Sequence, residues 1–147
     1  MDMQALTVPA QLDQLAEMRR YVQAAGKQAG LAEDTSYNLA LAVDELATNI
    51  ILHGYQEHGL SGDITLTAIS EGDALSVVME DRGVAFDPGT RPTPSAEELS
   101  KPLEERRIGG LGIYLAMNSV DDYHYQRLGE VNRNTLTMKR HRESGQA

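Results

Sequence analysis

The sequence predicts an α+β fold in which a mixed, mostly antiparallel sheet forms one layer and helices on one of its faces form the other. Apolar residues in the first third of the 147-residue chain recur every three or four positions, the period of a helix with one buried face. Later segments alternate apolar and polar residues, the period of a strand, and glycine-containing turns join them in pairs. Helices that precede antiparallel hairpins are typical of a two-layer α/β sandwich.

The beginning of the chain predicts a short strand and a first helix. The strand covers residues 5–8 and ends at Pro9. The helix ends near Gly26 and Gly30, since glycine commonly terminates helices. Its core face is formed by apolar residues at helical spacing: Leu12, Leu15, Met18, Val22 and Ala25.

A second helix is predicted from about residue 32 to about Tyr55. Glu33 and Asp34 lie in its first turn, where acidic side chains suit the positive end of the helix dipole. Its core face is formed by Leu39, Val43, Leu46 and Ile50.

The rest of the chain predicts two hairpins separated by a polar loop and a short helix. The loop contains four prolines between residues 88 and 102, and we expect a flexible lid at about 87–108. A helix over residues 113–118 follows a glycine cluster, and the polar tail, about 141–147, should be frayed. The predicted hairpins are 64–69 with 75–80, turning at 71–73, and 122–127 with 134–139, turning near Gly129.

Composition limits the functional classes. The length suits a single domain covering residues 1–147, and the absence of cysteine excludes disulfides and thiolate metal sites. A formal net charge of -9 disfavours nucleic-acid binding, because phosphate backbones repel an acidic surface. No signal peptide is recognisable, and no apolar stretch reaches the ~20 residues of a membrane span, so we expect a cytoplasmic protein without a membrane anchor.

The first candidate site lies on the second predicted helix. Glu45, Asn49 and His53 are each four residues apart, so their side chains form one stripe along the helix. The stripe borders the apolar face, at roughly 120°, 80° and 40° from its centre, which suits the wall of a cleft. Taken alone, the same spacing also fits a solvated flank of the helix.

Two further motifs contain glycine. Asp81 directly follows the predicted strand 75–80 and lies two residues before Gly83. An acidic residue there can accept a hydrogen bond from a ligand, and the glycine lets the ligand approach the backbone. Asp-x-Gly is also the sequence of an ordinary turn. Residues 109–112, Gly-Gly-Leu-Gly, open a helix, where free amides can hold a phosphate unless the glycines serve only the geometry of the junction.

The three motifs occur together in an order that resembles the N, G1 and G2 boxes of the GHKL ATP-binding superfamily, whose domain has the Bergerat fold. Residues 45–55 are similar to the N box of the anti-sigma-factor serine/threonine kinases within it. Residues 81–88 and 109–115 resemble their G1 and G2 boxes, and residues 129–139 their closing hairpin. Where many superfamily members carry a basic residue in the N box, this chain has Leu52.

The resemblance implies a role for each matched residue. Asn49 would bind Mg²⁺ between the phosphates of ATP or ADP, and Glu45 would be the general base. Asp81 would accept a hydrogen bond from the adenine amino group. The remaining nucleotide-binding residues would be His53, Gly83, Phe86, Arg107, Gly109, Gly110, Leu111 and Gly112. A neutral structural histidine is the alternative for His53, and a solvated basic pair the alternative for Arg106 and Arg107.

The resemblance also implies partners. An anti-sigma-factor kinase binds a sigma factor or similar target, phosphorylates a small antagonist protein on Ser or Thr, and can form a homodimer. One alternative is a nucleotide-gated binding module without kinase activity. The catalytic piece of a histidine kinase is disfavoured because the stretch ahead of Glu45 contains no histidine. A plain scaffold would require three nucleotide boxes to coincide by chance.

Overall fold

The computed structural model describes residues 3–85 and 118–140, which form one five-stranded sheet and two long helices. The helices are α1 (Leu15–Ala29) and α2 (Glu33–Asn49). The strands are β1 (Leu6–Pro9), β2 (Asp63–Glu71), β3 (Ala74–Asp81), β4 (Asp122–Leu128) and β5 (Val131–Lys139). Their order is β1-β2-β3-β5-β4, and every described pairing is antiparallel. The predicted α+β class is confirmed.

The two helices end and cross where the sequence supplies small residues. Gly30 terminates α1 in the left-handed conformation, with φ of 81°, and its amide donates to the carbonyls of Gly26 and Lys27. At Gly26 the helices approach so closely that a Cβ atom would overlap the Ser36 hydroxyl of α2. This close approach packs α2 directly against α1.

The core lies between the helices and one face of the sheet. Strands β3 and β5 bury every second residue, as expected for a sheet covered on one face only. The largest buried side chains come from both layers: Met18, Val22, Leu39, Val43, Ile51, Tyr55, Ile64, Leu66, Leu75, Val77 and Met79. Burial of α2 on this core determines which of its residues can face a ligand.

The first helix begins later than the sequence predicts. Leu12 lies in a short 3₁₀ turn, Leu12–Gln14, and is 44% exposed rather than part of the core. Leu12 fits the three- or four-residue spacing of the apolar residues in α1, but it precedes the helix and does not lie on its buried face. The expectation that Leu12 belongs to the core was wrong.

The second helix changes its hydrogen bonding in its last turns. Residues Ile50–Tyr55 form a π-helix, and a 3₁₀ turn, Gln56–His58, follows it. The predicted helix to about Tyr55 is therefore helical throughout, but only its first part is α-helical. Single π turns inside helices occur frequently at functional sites.

Three predictions concern residues that the structure does not describe. The described ranges do not include the predicted lid at about 87–108 or the tail from residue 141, and of the predicted helix 113–118 they include only residue 118. Among the residues that are described, no helix is long and apolar enough to span a membrane.

Candidate functional site

Asn49 lies at the end of α2 with an acceptor that has no partner. Its side chain is 2% exposed, and its Nδ2 atom donates to the Glu45 carbonyl oxygen at 3.1 Å. The Oδ1 atom is buried and receives no hydrogen bond from the described parts of the chain. A buried acceptor left unpaired typically costs about 1–3 kcal/mol, so such a group in a native fold calls for an explanation. An amide oxygen is a ligand that hard cations accept.

Glu45 lies one turn earlier on α2 and is half-buried. Burial, and secondarily the negative charge of Asp44, raises the pKa of the Glu45 carboxyl above its usual range. Asp44 itself pairs with Arg19 of α1, whose Nη1 atom lies 2.6 Å from Asp44 Oδ1. A carboxylate with a raised pKa is a better proton acceptor than one fully exposed to water.

His53 lies in the π-helical segment, one turn after Asn49. Its Nδ1 atom is 2.7 Å from Glu57 Oε2, so its ring is held by a residue of the same helical stretch. The imidazole is partly exposed, with 24% of its side chain accessible. The contact with Glu57 gives His53 a structural role in addition to any contact with a ligand.

Asp81 ends β3 and presents its own unpaired oxygen. Its Oδ1 atom accepts from the Gly83 amide at 2.8 Å and from Asn132 Nδ2 at 2.9 Å, whereas Oδ2 is buried without a partner among the described residues. Burial raises the pKa of Asp81, and the hydrogen bonds from Asn132 and Gly83 and the charge of Arg127 oppose that increase. The free oxygen is suited to accept a hydrogen bond from a ligand N–H group.

Gly83 packs directly against the π-helical segment. A Cβ atom on Gly83 would lie 2.7 Å from the Gly54 carbonyl oxygen, a distance that real Cβ contacts do not reach. The same carbonyl accepts from the Val84 amide at 2.9 Å. Glycine is therefore required at position 83 because two backbone segments meet there.

Tyr55 strengthens this junction from the core. Its hydroxyl accepts from the Arg82 amide at 2.8 Å and donates to the Asp63 carbonyl oxygen at 3.0 Å. The end of the helix that carries Glu45 and Asn49 is thus fastened to the segment that follows Asp81. The fold brings the first and second motifs to one site.

Sequence reasoning did not assign a site role to Asn132 of β5. This residue lies opposite Asp81 in the β3–β5 register and is 3% exposed. Asn132 and Asn134 occupy successive inward-facing positions of β5. Asparagine is depleted in strands and is mostly exposed in proteins. Two asparagines on the core face of one strand were therefore the feature of the sequence that could have indicated a site role.

The remaining predicted site residues lie outside the described ranges. They are Phe86, Arg106, Arg107, Gly109, Gly110, Leu111 and Gly112. Among residues 3–85 and 118–140, no group of three or more His, Asp or Glu side chains is placed to hold a metal ion. The part of the candidate site that the structure describes has Glu45 and Asn49 on α2, Asp81 at the end of β3 and Gly83 two residues later.

Comparisons with known proteins agree on one family over nearly the whole chain. The family model described as histidine kinase-like ATPase domain matches residues 8–140. Similar curated proteins include the serine-protein kinase RsbW of Bacillus cereus (strain AH187) and that of Bacillus mycoides (strain KBAB4). Each is 30% identical over 118 residues, which cover 80% of this chain and 72% of the relative.

Solved structures agree at the level of the fold. The crystal structure of the RsbU and RsbW domains of Rv1364c from Mycobacterium tuberculosis has a TM-score of 0.61 at 17% identity, covering 93% of this chain and 32% of that one. The histidine kinase domain of the blue-light activated histidine kinase from Erythrobacter litoralis EL346 has a TM-score of 0.50 at 16% identity, covering 92% and 63%. The chain thus spans less than two thirds of either.

Proposed function

Because the chain belongs to the histidine kinase-like ATPase domain family, we propose that it is an ATP-binding regulatory serine/threonine protein kinase that acts as an anti-sigma factor in a partner-switching system. Membership of this family implies ATP binding. One observation carries the assignment to these residues: the two segments joined at Gly54 and Gly83 each present a buried oxygen that has no hydrogen-bond partner in residues 3–85 and 118–140, Asn49 Oδ1 and Asp81 Oδ2. One suits a cation and the other suits an N–H donor, as a Mg²⁺–ATP complex requires.

The base end of the proposed site is formed around Asp81. Its Oδ2 atom would accept a hydrogen bond from the exocyclic amino group of adenine, which satisfies the buried carboxylate. Gly83 keeps the adjacent backbone free of a side chain where the base approaches. Phe86 would line the same end.

The phosphate end is formed around Asn49. Mg²⁺ typically keeps several waters and binds few protein groups in addition to substrate phosphates, so one amide oxygen is a reasonable protein share of its coordination. When bound, the ion would neutralise charge on the phosphates. Within the proposed domain of residues 1–147, Arg107 at the end of the lid (about 87–108) and the glycine cluster that follows it would contact the phosphates.

Glu45 would act on the partner protein. Its carboxylate would accept the proton of a serine or threonine hydroxyl while that oxygen bonds to the γ-phosphorus and the bond to the bridging oxygen of ADP breaks. Its raised pKa supports this role, because a stronger base at neutral pH takes a hydroxyl proton more readily. The relatives named serine-protein kinases support the choice of reaction.

The partners follow from the family resemblance and the surface charge. A sigma factor or similar target and a small antagonist protein phosphorylated on Ser or Thr are proposed as alternate partners of a cytoplasmic homodimer. Nucleotide state would bias which partner is held. A net charge of -9 disfavours direct binding to nucleic acid.

Labelled ATP tests the proposed activity directly. The protein is incubated with Mg²⁺, γ-labelled ATP and candidate antagonist proteins, and label on serine or threonine is measured. We expect Glu45→Ala to reduce transfer by roughly 100- to 10,000-fold, the usual contribution of a general base, with ATP affinity nearly unchanged.

Glu33→Ala provides a matched control, because Glu33 is an exposed residue in the first turn of the same helix. Equal transfer by the Glu45→Ala variant would contradict the role of Glu45. No transfer by the parent protein, with partner binding that still depends on nucleotide and survives Glu45→Ala, would favour a binding regulator without kinase activity.

A further inference from the structure

Asn132 makes an unusual set of hydrogen bonds across the sheet to the Asp81 segment. Its Nδ2 atom donates to Asp81 Oδ1 at 2.9 Å and to the Gly83 carbonyl oxygen at 3.1 Å, with the Val84 carbonyl at 3.4 Å. Asn132 and Asp81 are 51 positions apart in the sequence and lie directly opposite each other in the β3–β5 register. One buried amide therefore contacts both the carboxylate and the backbone that follows it.

The orientation of this amide is determined by its other side. Asn132 Oδ1 accepts from the Tyr125 hydroxyl at 2.6 Å and from Arg127 Nη1 at 3.0 Å. A guanidinium group can only donate, so a flipped amide would direct its own N–H groups at the Arg127 donor and its oxygen at the Asp81 carboxylate. Tyr125 and Arg127 thus keep the Asn132 N–H groups directed at Asp81.

The consequence for Asp81 is a fixed acceptor. The Gly83 amide and Asn132 both bind Oδ1, which leaves Oδ2 as the oxygen available to a ligand. We propose that Asn132 is a positioning residue, which holds the Asp81 carboxylate so that Oδ2 selects purines with an exocyclic 6-amino group. The proposal rests on the nucleotide site proposed above and names a determinant of its specificity.

Asn134 offers a matched comparison within the same strand. It is as deeply buried as Asn132, and the Tyr123 hydroxyl donates to its Oδ1 atom as Tyr125 does to Asn132. It lies opposite Met79 rather than Asp81, however, so across the β3–β5 pairing its amide faces an apolar side chain and not a carboxylate. Asn134 therefore controls for the burial of an asparagine in β5 beside a tyrosine hydroxyl, whereas the hydrogen bonds to the Asp81 segment are specific to Asn132.

The experiment compares two triphosphates that differ in one group. Dissociation constants are measured, with Mg²⁺ present, for ATP and for purine riboside 5′-triphosphate, which lacks the 6-amino group. Loss of a hydrogen bond to a charged acceptor typically changes an equilibrium at least roughly tenfold, so we expect the parent to prefer ATP by about that factor. Asn132→Leu should remove most of this preference, and Asn134→Leu should retain it, although both variants lose a buried hydrogen bond.

A double variant tests whether Asn132 acts through the carboxylate. The preference of Asp81→Asn should not fall further when Asn132→Leu is added, because the oriented group is already gone. Should Asn132→Leu fail to fold, Tyr125→Phe removes one of the two donors that orient the amide and leaves Arg127 as the other. We expect it to reduce the preference for ATP by about two- to threefold, with Tyr123→Phe as its control.

The inference would be overturned by an unchanged ATP preference in Asn132→Leu, by equal changes in the Asn132 and Asn134 variants, or by additive effects in the double variant. If the parent bound neither triphosphate, both the nucleotide site and this inference would fall. If the parent bound both with equal affinity, Asp81 and Asn132 would lose their specificity roles while nucleotide binding remained.

Discussion

The two ends of the candidate site hold a buried, unpaired oxygen in place in different ways. Asn49 and Asp81 each keep one oxygen buried and unpaired within the described structure, yet Asn49 is held by a single bond to the preceding turn of its own helix. Asp81 is held by Asn132, from a strand 51 residues away, and by the Gly83 amide. Packing of a helix therefore places the first group, and a hydrogen-bond network that crosses the sheet places the second.

This difference predicts whether substitutions at each end affect mainly ligand binding or also the stability of the fold. At the Asn49 end, a substitution would act on the atom that we propose binds the ligand, and scarcely on the fold. At the Asp81 end, we expect ligand binding to depend also on groups that hold the segment in place, because Tyr55, Asn132 and the Gly54 carbonyl all form hydrogen bonds with it. Substitutions at the Asn49 end should therefore lower ligand affinity more than stability, and substitutions at the Asp81 end should lower stability as well.

Asn49→Ala is expected to have the largest effect on binding. Loss of an outer-shell partner typically lowers metal affinity by roughly 10- to 100-fold, so removal of the ligand oxygen should lower Mg²⁺-dependent ATP affinity by at least about 100-fold. Among the described residues Asn49 makes one hydrogen bond, and the substitution removes the unpaired buried oxygen together with it, so the two effects oppose each other and the free energy of unfolding should change by no more than about 1 kcal/mol. Calorimetric titration with ATP, with and without Mg²⁺, measures the first quantity, and chemical denaturation measures the second.

Asn38→Ala is the control for this variant, because Asn38 is an exposed asparagine on α2. Its ATP affinity should match that of the parent protein. Equal affinity in the Asn49→Ala variant would contradict the metal-binding role of Asn49. A variant that is largely unfolded would show that the two ends of the site are not fastened as differently as the contacts indicate.

Gly83→Ala should instead act mainly on stability. The new Cβ atom would lie 2.7 Å from the Gly54 carbonyl oxygen and 2.9 Å from its carbonyl carbon, and these backbone atoms have little room to relax. Overpacking of this kind costs about 1–3 kcal/mol, which thermal or chemical denaturation would detect, and ATP affinity should fall with the displaced Asp81 segment.

The opposite side of the same contact supplies the control. A Cβ atom on Gly54 would meet its nearest neighbour, Ile50 Cγ2, at 3.8 Å, an ordinary contact distance. Gly54→Ala should therefore be tolerated, and replacing glycine inside a helical segment by alanine typically adds stability. Equal destabilisation by the two variants would contradict the close approach at Gly83.

The contrast also explains how much of the molecule could be predicted from its sequence. The fold class, both hairpins and the 45–49–53 stripe follow from periods of two and four residues, which are local properties of the chain. The prediction that Leu12 belongs to the first helix was wrong, because local spacing does not show where a helix begins. The Asn132–Asp81 contact could not be predicted in this way, since it depends on the pairing of β3 with β5, and the sequence placed Asn132 only within a hairpin.

The pH dependence of stability gives the smallest expected effect. Burial raises the pKa of Asp81 in the folded state, so the folded protein binds a proton more readily than the unfolded chain does. The stability associated with the protonated group is fully present below the ordinary pKa of an aspartate and is lost as the pH rises through the raised value. Asp81→Asn removes this titration, so the free energy of unfolding of the variant, relative to that of the parent, should increase from acidic to neutral pH.

Chemical denaturation of both proteins without nucleotide, across that pH range, measures this difference while titrations common to both cancel. A relative stability that instead decreased with rising pH would mean that the bonds from Asn132 and Gly83 outweigh the cost of burying the Asp81 charge. In that case the Asp81 end would stabilise the fold in the absence of ligand. The expected result would mean that the protein maintains an ionised, half-satisfied carboxylate at a cost in stability, which a ligand N–H group would offset on binding.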